Sequence, residues 1–157
     1  MGNVTFGAKA GVISGIFYGL LSAISTYITL SLMKEQIMEI ISSLLPSNLP
    51  ISIEKIFEMA LFMSPIVSFL TGIIGGLILG AIYGWIYEKI PGRNFLIKGL
   101  FFSIIIWFIL SVILGSGNLQ YGIMYYSINL VLGLITTIIY GILLSFLYGK
   151  FISKTSK

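Results

Sequence analysis

The side chains on which most enzymes and metal sites depend are missing from this sequence or stand in the wrong places. There is no histidine and no cysteine. Haem or iron–sulfur ligation by the usual side chains, a thiol nucleophile, a disulfide and a Cys/His zinc site are therefore excluded. The acidic residues are Glu35, Glu39, Glu54, Glu58 and Glu88, and none lies deep in an apolar run. Serine is plentiful, but a serine without a base is not an activated nucleophile, and no spacing motif with a known mechanism is present. No catalytic residue, cofactor or metal is expected.

Three groups of residues remain that could do something more specific. The first is a nine-residue pattern with Gly, Tyr and Gly at positions one, eight and nine: GVISGIFYG from Gly11, GLILGAIYG from Gly76 and GLITTIIYG from Gly133. Tyr18, Tyr83 and Tyr140 lie one turn beyond the small residues on the same helix face. A phenol there either fills the groove beside a glycine, with its hydroxyl on a Ser, Thr or backbone carbonyl, or lines a polar cleft together with Ser22, Ser25 and Thr29. The second is Asn129, the one carboxamide inside an apolar run. Its ordinary use is a bond across to a neighbouring helix, and the sharper alternative is a ligand contact, because polar residues at membrane depth are costly. The third is the basic set Lys89, Arg93, Lys98 and Lys150, which fits contact with anionic lipid headgroups. Nucleic-acid binding would need a basic domain with stacking aromatics, and none is present.

The elements that must position these residues are apolar helices. Of 157 residues, 57% are hydrophobic and 9% charged, with a mean hydropathy of +1.07. A soluble domain carries about 25% charged residues, so this is a membrane composition. Four runs are long enough to cross about 30 Å of hydrocarbon: Ala10 to Met33, Ala60 to Tyr87, Phe95 to Leu114 and Tyr121 to Leu147. The third run alone carries a charge, Lys98, in its first turn. The absence of strict alternation argues against a β-barrel. The first run is also too long for a signal-peptide core.

Basic residues fix the expected orientation. Lys9, Lys89, Arg93, Lys98, Lys150, Lys154 and Lys157 share one side, against Lys34 and Lys55 on the other. The positive-inside rule then puts both termini in the cytoplasm of a multi-pass cell-membrane protein. Between the first two spans, Ile37, Ile40, Ile41, Leu44 and Leu45 mark one face of an amphipathic helix. That helix is expected at the outer interface, on lipid or across the bundle mouth. Pro46 to Pro50 should end it, and Ser52 should cap the helix that follows. Pro65 should bend the second span.

Small residues four apart occur in every span: Gly11 and Gly15, Gly76 and Gly80, Gly99 and Ser103, Gly133 and Thr137. Such pairs let helix backbones approach closely where lipid removes the usual hydrophobic gain. In the first span the face extends through Tyr18, Ser22, Ser25 and Thr29 in alternating steps of four and three, the seam of a left-handed pair. The second and fourth spans share GLIxxxIYG at an offset of 57 residues. A two-helix unit repeated in tandem would give parallel copies.

The predicted fold is a single all-α membrane domain. It is a four-transmembrane-helix bundle built as a tandem parallel two-helix repeat, with an outer amphipathic helix. The expected function is non-enzymatic: a subunit, scaffold or assembly partner among other membrane proteins or further copies of itself. The alternative is an oligomeric passive carrier or channel for a small neutral or lipidic solute.

Overall fold

A computed structural model describes residues 2–45 and 50–155. Of the expected break over Pro46 to Pro50, residues 46–49 lie outside the described residues. All described elements are helical. Helix α1 spans Gly2–Leu32, α2 Lys34–Leu44, α3 Ile53–Ile86, α4 Phe95–Trp107 and α5 Ile123–Thr155. Four helical stretches are long and apolar enough to cross a membrane: Asn3–Leu32, Ile53–Ile86, Phe95–Tyr121 and Ile123–Lys154.

Local sequence sets the boundaries. Ser52 caps α3 as expected, its side chain accepting the Lys55 N–H at 3.3 Å. Asn94 caps α4 in the same way, accepting from Ile97 at 2.9 Å. The α3–α4 turn passes through Gly92 at φ 138°, a backbone region that side chains disfavour. Pro65 sits inside α3 without ending it.

The third span differs from expectation. Instead of one α-helix to Leu114 and then a loop, α4 ends at Trp107. A π-helical stretch follows over Phe108–Ile113 and a 3-10 stretch over Leu114–Tyr121. Leu114 donates to the carbonyl of Ile109, five residues back. Gly115, Ser116, Gly117 and Asn118 are poor helix formers, and Ser116 turns its hydroxyl onto the Ile113 carbonyl at 2.9 Å. The α-helix is thus loosened before the chain reverses.

Helices α3, α1, α5 and α4 pack in that order, with α1 against both α3 and α5, and α4 against α5. The amphipathic α2 packs mainly on α3. One end of the bundle, holding the start of α1, the α3–α4 turn and the close of α5, is here called the basic end. The other, holding α2 and the 3-10 stretch, is the loop end. The buried core lies toward the basic end and comprises Ala10, Tyr83, Ile90, Phe102, Tyr140, Leu144 and Tyr148.

Candidate functional site: a tyrosine and glycine core with a polar pocket

Helices α1 and α3 meet glycine on glycine. Gly7, Gly11, Gly15 and Gly19 of α1 face Gly72, Gly76, Gly80 and Gly84 of α3. A Cβ added at Gly15 would lie 3.0 Å from both the Gly72 carbonyl oxygen and the Gly76 Cα, so the backbones themselves are in contact. Gly11, Gly15, Gly76 and Gly80 are therefore packing residues, as their spacing suggested. The flanking Gly7, Gly19, Gly72 and Gly84 belong to the same row and were legible as its continuation in steps of four. From Gly7 to Gly19 the glycine contacts run in steps of four, and Tyr18 of the expected four-and-three face borders Gly72 beside them. Rows of this kind are the ones GxxxG pairs use. Farther toward the loop end, Thr26 and Ser68 join the two helices by a hydroxyl–hydroxyl bond of 2.9 Å.

On α5 the closest approach to α4 lies beyond the expected small pair. Gly99 and Ser103 of α4 meet Gly141 and Ser145 of α5 rather than Gly133 and Thr137. Thr136 and Thr137 both turn their hydroxyls onto the Gly133 carbonyl, at 3.1 and 2.7 Å. Gly133 itself faces Trp107 and Ser111. The Trp107 indole N–H donates to the Leu130 carbonyl at 3.1 Å.

Tyrosine hydroxyls tie α5 to the glycine seam. Tyr140 donates to the Gly76 carbonyl at 3.0 Å, and Tyr148 donates to the Gly84 carbonyl at 3.4 Å. Both bonds join residues 64 apart, as two parallel helices in fixed register require. The absence of side chains at Gly76 and Gly84 leaves these carbonyls reachable from a third helix. Tyr18 packs edge-on against Tyr140, with centroids 5.5 Å apart. Tyr83 is fully buried among Phe102, Tyr148 and Tyr87, at centroid distances of 5.1, 5.3 and 5.6 Å. Its hydroxyl has no partner among the described residues. Tyr83 and Tyr140 are thus packed on protein rather than on open space. Tyr148 escaped the sequence reading, although Tyr148-Gly149 repeats the Tyr140-Gly141 pair two turns on.

At the basic end, Lys98 donates to the Tyr87 carbonyl at 2.8 Å and sits 4.2 Å from that ring's centroid. It satisfies a carbonyl at the close of α3, where a cation also meets the negative end of the helix dipole. Lys89 stands over Trp85 at 5.9 Å, and Arg93 is exposed. Lys150 borders an apolar groove of about 390 Å³ together with Asn94, Phe95, Phe146 and Ser153.

Among the described residues Asn129 bonds to no neighbouring helix. Its amide donates to the Tyr125 carbonyl of its own helix at 2.9 Å, a four-residue back-bond that competes with any cross-helix partner. Asn129 also borders a pocket of about 180 Å³ lined by Leu110, Ser111, Gly115, Asn118, Tyr126 and Leu130. This pocket, formed where the third span departs from the α-helix, brings together polar residues that the sequence left scattered. Among the described residues no group of three or more metal-ligating side chains forms.

A model of a family of unknown function, DUF6789, matches residues 1–157. No curated protein and no solved structure matches the chain.

Proposed function

The chain belongs to DUF6789, a family of unknown function, and on the geometry above we propose that it is a non-enzymatic, multi-pass protein of the cell membrane. It serves there as a subunit, scaffold or assembly partner for other membrane chains or for further copies of itself. Both termini face the cytoplasm, since the basic end gathers most of the lysines and Arg93. Lys89, Arg93 and Lys150 there meet anionic headgroups. The helix pairs α1–α3 and α4–α5 descend from one duplicated unit. The shared GLIxxxIYG and the small-residue packing inside each pair support that descent, with the second pair having slid to Gly141 and Ser145.

The observation that carries this reading is the use of the interior. Tyr140 and Tyr148 end on glycine carbonyls, while Ser14, Ser103 and Ser145 bond back to their own helices. Two tyrosine hydroxyls of the core thus join helices, the serines are satisfied within their own helices, and among the described residues no ionised side chain is buried. A carrier would need Tyr83 and Tyr140 on a cavity, and their exposures of 0% and 2% count against that. What faces outward is bulky and apolar: Trp85, Phe101, Ile104, Phe108 and Ile113. That surface meets lipid or a partner helix.

The test is gentle extraction of the native protein, followed by identification of co-purifying polypeptides and lipids. Reproducible recovery with the same membrane polypeptide, or as a defined oligomer, supports the proposal. Repeated recovery as a lone chain that conducts a solute in liposomes would overturn it.

A further inference from the structure

The pocket between α5 and the loosened end of the third span holds polar atoms that the chain itself leaves without partners. Ser111 and Asn118 have no side-chain hydrogen bond among the described residues. Asn129 uses one amide N–H on Tyr125, which leaves its oxygen and a second N–H. All three side chains are partly exposed, so these groups are open to a ligand that can hydrogen-bond them. Three such residues line one hollow.

We propose that this pocket binds an uncharged glycerol-like group bearing two or more hydroxyls. Charge comes first. None of the residues that line the pocket carries a charge. An ionised ligand would be desolvated here without a counter-charge, so the pocket selects neutral molecules. Size comes second. About 180 Å³ corresponds to roughly six waters at ~30 Å³ each, enough for a three-carbon polyol. Chemistry comes third. A hydroxyl both donates and accepts, so it can meet amide N–H groups and the Ser111 and Asn129 oxygens together. Leu110, Leu130 and the Tyr126 ring supply apolar walls for the carbon atoms.

The local fold is shaped for this purpose. The π-helical stretch over Phe108–Ile113 carries Ser111 and ends beside the pocket, and such stretches recur at functional sites. Gly133 leaves room for Ser111, whose oxygen lies 3.2 Å from where a Cβ would stand. Tyr121 and Tyr125 pack edge-on at 5.7 Å nearby, as interfacial tyrosines do. At that depth a glycerol group can arrive free from water or as the head of a diacylglycerol. The site stands whether or not the scaffold role does.

Trp85→Phe leaves Trp107 as the single indole, hydrogen-bonded to Leu130 on the pocket wall. In phosphatidylcholine nanodiscs this variant is titrated with glycerol in the buffer and, separately, with dioleoylglycerol in the bilayer. The expected result is a saturable change in Trp107 emission with one probe or both, and the responding probe identifies the source. Asn129→Leu and Ser111→Ala, each added to that background, should raise the half-saturation point about five- to tenfold. Circular dichroism checks each fold, and Ser111→Ala alone decides the matter where Asn129→Leu fails to fold. No saturable response to either probe, or a response unchanged by Ser111→Ala, would overturn the proposal and leave a pocket that holds water.

Discussion

Replacing Gly76 by alanine is expected to separate two helices that now touch along their backbones. The new Cβ would stand 2.5 Å from the Gly15 Cα and 2.6 Å from the Gly11 carbonyl oxygen. Ordinary contact begins at 3.4 Å, and neither neighbour is a side chain that can swing aside. Helices α1 and α3 must part by about 0.9 Å at this level, and overpacking of that kind costs about 1–3 kcal/mol. Gly75, the preceding residue of the same helix, supplies an internal control, because nothing lies within 4 Å of a Cβ placed there. Both substitutions gain about 1 kcal/mol of helix propensity, a contribution that cancels when the two variants are compared. Gly75→Ala should be neutral or slightly stabilising, and Gly76→Ala should fall below it by about 1–3 kcal/mol. The assay is reversible unfolding from mixed micelles by titration with a denaturing detergent, followed by circular dichroism. Equal stability of the two variants would refute the reasoning, since the residues differ only in what their missing side chains face.

Two of the buried tyrosines, Tyr140 and Tyr83, should separate in the same assay. Tyr140→Phe loses the bond to the Gly76 carbonyl and about 0.6 kcal/mol, the average for polar contacts within membranes. Tyr83→Phe, whose hydroxyl has no partner among the described residues, should be neutral or stabilising because an unsatisfied buried group is removed. Gly141→Leu should loosen α4 from α5 far more than Gly133→Ala does. Disulfide cross-linking between cysteines introduced on the two helices reads that difference as a lower yield for Gly141→Leu.

Much of this architecture is written in bulk properties and therefore legible without coordinates. Four long apolar runs report the spans, because the cost of burying charge in lipid leaves few alternatives. The glycine rows of α1 and α3 were legible for a similar reason, since small residues in steps of four specify a contact almost by themselves. Spacing alone was less decisive on α5, where Gly133 of the expected pair faces Trp107 and Ser111 while the closest backbone approach lies farther along, at Gly141 and Ser145. Asn129 illustrates a second limit, because a back-bond within its own helix and a bond to a neighbour are identical in sequence. The polar pocket was out of reach for a third reason. It depends on a π-helical stretch within an apolar run that reads as ordinary α-helix, and on Ser111, Asn118 and Asn129 meeting only after the chain reverses.

The central structural claim, a core closed by tyrosines resting on glycine carbonyls, is tested most directly by solute flux. Purified protein is reconstituted into liposomes, and the shrinkage and re-swelling that follow an osmotic shock with glycerol or urea are recorded by stopped-flow light scattering. A closed core predicts rates equal to those of protein-free liposomes. A protein-dependent, saturable rate that changes when Tyr83 or Tyr140 is replaced would contradict it.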